Sequence, residues 1–279
     1  MSPSNSAASA APSFDPFRPA DIDAGLALSR AERWPHRRED WELVAAISRG
    51  TVIRDRGEVA GTAVWMPYGE RLAAVGMVMV AAGQRGRGFG RALMERTIVD
   101  AGGRTLRLVA THSGLPLYEK LGFAATGTVF QHQGVPQAAP APDGVEEANA
   151  DDRAAILALD RTAFGGDRTD LLGAMLRRGV ALVVREGGVT GFAIRRMFGL
   201  GWTIGPVIAP DRDHAQRLIA AHVAALDGAF VRVDTTDTAL ADWLERQGLP
   251  RAGSGTAMMR GTVPEAAPER FALASQALG

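Results

Sequence analysis

Ten consecutive residues, Ala73 to Ala82, carry no polar side chain and stop at Gly83. The run is too short to cross a membrane and fits a strand buried on both faces. Upstream, Thr51 to Arg54 and Val59 to Met66 are strand-like runs around the polar turn Arg56-Gly57-Glu58, which predicts a hairpin ended by Pro67-Tyr68-Gly69. Earlier still, Phe17 to Asp23 reads as a short edge strand and an acidic helix start, with a helix running to about Trp34, where Pro35 interrupts it. A second helix covers Arg38 to Arg49 and closes at Gly50. Beyond the apolar run, a helix from about Gly90 to Ala101 stops at Gly102-Gly103. Thr105 to Ala110 is a strand, Gly114 to Leu121 a short helix and Ala125 to Gln131 a closing strand.

The same order then recurs after Gln133 to Asp143, a Pro-, Ala- and Gln-rich linker. Glu147 to Phe164 and Leu171 to Arg178 read as helices, and Val180 to Arg185 with Val189 to Arg196 as a hairpin around Glu186-Gly187-Gly188. Trp202 to Ala209 is a strand, and Ala215, Leu218, Ile219, His222 and Leu226 form a stripe at helical spacing. Val231 to Val233 is the next strand, and Trp243 to Leu249 aligns on Leu117 to Phe123. A duplicated fold follows from this recurrence.

Between the apolar strand and its helix lies Gly83-Gln84-Arg85-Gly86-Arg87-Gly88-Phe89-Gly90. Strand, glycine-rich turn and helix start form an anion site, because the first N–H groups of a helix lack intrahelical partners and the helix dipole adds positive charge there. Glycine lets an anion approach the backbone where a Cβ would intervene. A dinucleotide fingerprint fails on spacing, since Arg91 or Leu93 stands where its third glycine belongs. A P-loop fails because Phe89 and Gly90 replace its Lys and Ser/Thr.

Arg85-x-x-Gly88-x-Gly90 resembles the pyrophosphate-binding motif of the GNAT superfamily of acyl-CoA-dependent N-acyltransferases. Leu117-Tyr118-Glu119-Lys120-Leu121-Gly122-Phe123 resembles the closing motif of the same domains, whose tyrosine lies near the acyl-CoA sulfur. The resemblance implies an α/β (α+β) chain of two tandem GNAT-type domains, each a mixed, mostly antiparallel central sheet flanked by helices. Residues 1–13 are then a disordered tail, 14–134 the catalytic domain, 135–144 a linker and 145–279 a degenerate domain with a C-terminal tail. It further implies direct transfer of an acetyl group from acetyl-CoA, without metal, to a primary amine through a tetrahedral intermediate. On this reading the backbone of Arg85, Gly86, Arg87, Gly88, Phe89, Gly90 and Arg91 holds the coenzyme pyrophosphate. The strand edge at Val78 and Val80 holds the pantetheine amide, and Tyr118 protonates the departing thiolate.

Two departures from the family pattern stand out. Thr111 takes the place of a frequent asparagine seven residues before the tyrosine, and Gly76 to Val80 contains no glutamate to serve as base. His112, just before the tyrosine helix, is the candidate base, with a water chain or a carboxylate of the second domain as the alternatives. In the second copy Asp213, Gln216 and Leu218 replace Arg85, Gly88 and Gly90, with Asp211 nearby, and Leu244 replaces Tyr118. Carboxylates there would repel a pyrophosphate, and leucine donates no proton, so a single working coenzyme site is expected. Arg270 to Ala274 and Leu278-Gly279 resemble the tail of such tandem proteins and are expected to pack back on the fold.

Composition adds bounds. The 279 residues suit two domains, and 46% apolar content suits an ordinary core. A formal net charge of zero argues against nucleic-acid or membrane binding driven by charge. The absence of cysteine excludes disulfides and thiol catalysis and permits a reducing compartment. Met1 to Ser13 lacks both the basic start and the apolar block of a secretory signal, which leads to a cytoplasmic expectation. Trp34, His36 and Trp41 read first as core-side aromatics of two helices and second as an acceptor-binding rim. The acceptor expected is a small-molecule amine bound between the domains. The alternatives are a protein or peptide acceptor, or an acyl-CoA-binding sensor without turnover. Acceptor identity and oligomeric state are not encoded in any motif.

Overall fold

The computed structural model describes residues 11–137, 139–262 and 270–279. The first half runs β1 (Ser13–Pro16), α1 (Ile22–Ala31), α2 (Arg38–Ile47), β2 (Arg49–Asp55), β3 (Glu58–Tyr68), β4 (Leu72–Val80), α3 (Phe89–Asp100), β5 (Thr105–Ala110), α4 (Leu115–Lys120) and β6 (Ala124–Gly134). The second repeats the order with β7 (Glu146–Glu147), α5 (Arg153–Phe164), α6 (Thr169–Leu176), β8 (Gly179–Arg185), β9 (Val189–Phe198), β10 (Gly201–Ile208), α7 (Arg212–Ala224), β11 (Val231–Thr235), α8 (Thr238–Arg246), β12 (Arg251–Arg260) and β13 (Arg270–Ala272). Residues 1–10 of the expected tail lie outside the described residues, and Ser13 already belongs to β1.

One sheet carries both halves, in the order β1-β2-β3-β4-β5-β12-β6-β11-β10-β9-β8-β7, with β13 on β10. Only β4–β5 and β10–β11 pair parallel; the other described pairs are antiparallel. The sheet is therefore mixed and mostly antiparallel, with helices on it, as the resemblance implied. The halves exchange their closing strands. β6 leaves the first half to pair with β11 (Val231 opposite Gly134, Thr235 opposite Phe130), while β12 returns to pair with β5 (Thr256 opposite Ala110, Arg260 opposite Leu106). Each half's parallel pair is thus completed by a strand of the other, and a cut near residue 134 divides the chain without dividing the sheet.

Local sequence explains the packing around this sheet. In α1 and α2, Ile22, Leu26, Leu28, Trp41, Leu43 and Val44 face one core that also takes Ile156, Phe164, Leu171 and Phe192 of the second half. Gly25 is required there, because a Cβ on it would lie 2.6 Å from the Trp41 ring, which is fully buried. The helix expected from Glu147 starts only at Arg153. Asn149 accepts from Asp151 N at 2.8 Å and donates its own N–H to Asp152 at 2.8 Å, a capping arrangement that holds the preceding residues out of the helix. No described helix is long and apolar enough to cross a membrane.

The C-terminal segment packs back as expected. Phe271, Leu273, Ala274 and Leu278 are buried, and Tyr68 Oη donates to Leu278 O at 2.7 Å. Arg168, buried with Asp160, donates to Gly279 O at 2.8 Å.

Candidate active site

The site begins with a defect in β4. Pairing with β3 shifts register between Thr62 and Val64, so that Thr62 faces Met79 while Val64 faces Gly76, leaving one extra residue on β4. Met77 takes the left-handed region at φ +52°, unusual for a residue with a side chain, and Thr62 Oγ1 donates to Met77 O at 2.7 Å to hold the bulge. On the other side of β4, the parallel ladder to β5 runs from Leu72 opposite Thr105 only to Ala74 opposite Arg107. Beyond it the strands part. A cavity of about 680 Å³ fills the opening, with Val75 to Val80 along one wall and Leu108, Val109 and Thr111 along the other.

At the C-terminal end of β4 the glycine loop turns into α3. Gly86 and Gly88 sit at φ +77° and +81°, and a Cβ on either would meet no protein atom within 4 Å. Such a Cβ would project into the space an anion needs. Gly88 caps α3 with no side chain to accept from its first turn, and no N–H from Gly86 to Arg91 donates to a described backbone group outside the helix ladder. A row of amides is left for a ligand. Arg85 and Arg91 line the cavity with Gly86, Gly88, Phe89 and Gly90. Arg85 pairs with Glu32 of the segment after α1, and Arg91 Nε donates to Glu95 at 2.8 Å. Arg87 turns away: Nη1 donates to Asp55 at 2.8 Å, and its guanidinium lies 4.5 Å from the Phe89 ring centre.

Val78 and Val80 line the cavity along the β4 edge. Opposite them stands Tyr118 on α4, only 8% exposed and packed edge-on to Phe123 at 5.9 Å between ring centres. Burial pushes its phenol up to about 12, so it stays protonated at neutral pH. Thr111 Oγ1 accepts from Gly114 N at 3.3 Å and fixes the turn that launches α4. His112, the next residue, is exposed and is not among the lining residues.

Three parts of the wall escape local sequence reading. Trp34 and His36 line the cavity, whereas Trp41 is core as first read. Gln131 of β6 and Ser275, Gln276 and Ala277 of the tail form another part. Phe198 and Arg232 arrive from the second half. The His36 ring is held by Ser29 Oγ at 3.1 Å, which also accepts from Trp41 Nε1 at 3.1 Å, and by the edges of Trp34 and Phe198 at 5.7 and 5.6 Å between centres. Burial, reinforced by Arg232 and Arg196 and opposed by Asp40, lowers His36 to about 4, which makes it neutral in use.

The equivalent opening of the second half is closed by the chain itself. β10 and β11 pair in parallel only at Trp202–Val231 and Thr203–Arg232, and β13 then pairs antiparallel with β10. Leu273 N donates to Asp234 O at 2.8 Å, and Leu273 O presses so close to Gly205 that a Cβ there would collide with it. The tail occupies the gap. Asp211 Oδ1 accepts from His214 N at 2.9 Å at the start of α7, and the buried Leu244 stands where α4 has its tyrosine.

A bulged strand parting from a parallel neighbour, a free amide row at the next helix and a tyrosine across the gap together define a GNAT-type acyl-transfer fold. An Acetyltransferase (GNAT) domain model matches residues 46–125, and a second model of the same description matches 156–272. The chain is 29% identical over 218 residues to an uncharacterized N-acetyltransferase of Bacillus subtilis, YitH, covering 75% of this chain and 77% of that one. It is 27% identical over 221 residues to the holothin acyltransferase of a Pseudoalteromonas species, covering 76% and 75%. Among solved structures, a putative acetyltransferase of Pyrococcus horikoshii superposes with a TM-score of 0.82 at 20% identity, covering 96% of both chains. The protein belongs to the GNAT acetyltransferases and carries two such domains in tandem.

Proposed function

We propose that this enzyme moves an acetyl group from acetyl-CoA to the primary amine of a small-molecule acceptor, using the first-half site alone. One observation carries the reading: the free amides of Gly86 to Arg91, the open β4 edge and Tyr118 all border one cavity of about 680 Å³, within the range of small-molecule sites. Walls from both halves and from the tail favour a small acceptor over a polypeptide. The amide row, with Arg85 and Arg91 beside it, suits a pyrophosphate, and the glycines leave the room it needs. Beyond the ladder to β5, Val78 offers backbone to an extended amide-bearing arm, while Val80 O accepts from Arg85 Nε at 3.3 Å.

Acetyl-CoA supplies the activated acyl group when bound. The protein's tasks are to align the two reactants and to place a proton donor at the thiol end. Tyr118 Oη is that donor, held protonated by burial. Tyr118→Phe is therefore expected to lower kcat by roughly 100-fold, with acetyl-CoA affinity by calorimetry within about twofold of the parent. Full turnover in thiol-release assays would remove the acid role.

Deprotonation of the amine has a pH signature. Among the lining residues Glu32 is the one carboxylate, and it is paired with Arg85. His36, lowered to about 4, and Tyr118, raised to about 12, hold their protonation states through the range from about pH 6 to 10. The acceptor amine titrates there instead. kcat/KM is expected to rise with pH and level off at the acceptor's own pKa, with no alkaline fall until Tyr118 ionises. Two acceptors with amine pKa values about two units apart should break at correspondingly displaced pH. A break at one common pH would assign the ionisation to a protein group.

A further inference from the structure

We propose that Arg232, delivered by the second half, anchors an anionic oxygen group on the acceptor, so that the substrates are amines that also carry a carboxylate. The inference rests on the transferase reading above and names the substrate class of that same site.

Charge inside the cavity points this way. Besides Tyr118, its ionisable lining consists of Glu32, Arg33, His36, Arg85, Arg91 and Arg232. Arg85 and Arg91 flank the amide row, and Glu32 is tied to Arg85. No unpaired carboxylate lines the described wall to receive a second ammonium group. A polyamine would bring positive charge to a wall already rich in guanidinium.

Arg232 stands apart from the coenzyme loop. It lies on β11, opposite Gln133 of β6, and in sheet order β12 and β6 separate it from β5. Its guanidinium is locked from behind. Nε donates to Asp234 at 3.2 and 3.0 Å, Nη2 lies 2.8 Å from Asp234 Oδ2, and the group sits 5.4 Å from the Phe198 ring centre. Asp234 is further occupied by Gln276 Nε2 at 3.3 Å. Nη1 of Arg232 donates to no described group, which leaves two N–H bonds on the side chain of a cavity-lining residue.

Arg37, Arg196 and Arg232 face Asp40 and Asp234, and the exposed Glu39 also attracts Arg37, which leaves Arg196 as the poorly paired group. The nearest carboxylate oxygen to Arg196 Nη1 is 3.8 Å away, and the buried Nε of Arg196 has no partner. An anionic group on the acceptor would supply the partner that Nη1 of Arg232 lacks among the described groups. Trp34, His36 and Phe198 beside it suit an apolar spacer between that group and the amine.

The test compares amino acids of graded length, glycine to 6-aminohexanoate together with phenylalanine, each against its carboxamide, with acetyl-CoA and thiol release as readout. At the best length the parent should favour the acid in kcat/KM by tenfold or more. In Arg232→Gln the acid should lose tenfold or more relative to the amide, so that the two become equal, while Arg232→Lys should keep part of the preference. If unpaired Asp234 prevents folding, Arg232→Gln with Asp234→Asn carries the comparison. Thermal shifts with the N-acetylated acids and amides report the same preference without turnover. A purely structural Arg232 would lower both acceptor classes alike. Equal treatment of acids and amides by the parent in both readouts overturns the inference and leaves the transferase reading intact. A carboxylate preference in thermal shift that is lost in Arg232→Gln, with no thiol release from any amine, upholds the anchor and overturns the transferase reading.

Discussion

Gly88→Glu is expected to abolish acetyl-CoA binding, with a loss of at least 100-fold measured by calorimetry. Three effects add. Gly88 holds φ +81°, where a residue with a Cβ is strained by about 1–2 kcal/mol. Its Cβ would meet no protein atom within 4 Å, so the new side chain enters the ligand's space rather than the core. Its charge opposes the pyrophosphate that the amide row would hold. Gly88→Ala separates these terms: it carries the backbone strain and a single methyl group without the charge or the longer side chain, and should lose stability by about 1–2 kcal/mol while retaining measurable, weakened binding. Undiminished affinity in Gly88→Glu would show that the loop does not hold the pyrophosphate.

This prediction could be framed from sequence because the loop's chemistry is local. Glycine at positive φ, an uncapped helix start and an apolar strand before them leave marks within some twenty neighbouring positions, and the structure places α3 from Phe89 to Asp100, close to the expected span. The loss of the glycine loop in the second copy was legible for the same reason, but its register was not: Asp211, expected only nearby, caps α7 where Gly88 caps α3, and Gln216, expected in that place, lies inside the helix. Partner choice in the sheet is different. Ala125 to Gln131 reads as a closing strand, whereas Arg251–Arg260 carries no clear alternation, and nothing in the residues of either segment says that each closes the other half. Hence the side of the cavity proposed for the acceptor was hidden. Arg232 and Asp234, two apart on a strand among buried valines, left a faint signal in charges that a buried strand tolerates only when paired. His112 drew notice by its nearness in sequence to Tyr118, but the turn after β5 points it outward, while the cavity histidine, His36, comes from the segment between α1 and α2.

Arg168→Met is expected to cost about 3–5 kcal/mol of stability in chemical denaturation, the largest loss from any single side chain considered, because it strands a buried carboxylate. Arg168 and Asp160 have side-chain exposures of 0% and 2%; Nε donates to Asp160 at 3.0 Å, and the guanidinium lies 3.9 Å from the Phe164 ring centre. Removing both charges with Arg168→Met and Asp160→Leu should restore much of the loss, since the penalty is mainly the unpaired charge. The function should follow the tail. Arg168 holds Gly279 O at 2.8 Å, and Ala277 packs on Gly76, where a Cβ would come 2.9 Å from Ala277 O. Ser275, Gln276 and Ala277 wall the cavity, so loosening the segment should widen the end proposed for the acceptor while leaving the amide row of α3 untouched. The double variant, folded but without the clamp, should raise the acceptor KM by roughly tenfold, with acetyl-CoA affinity within about twofold of the parent. A single variant within about 1 kcal/mol of the parent would mean that Asp160 finds water or another partner. An unchanged acceptor KM in the double variant would mean that contacts of the tail with β10 and Tyr68 hold it without Arg168.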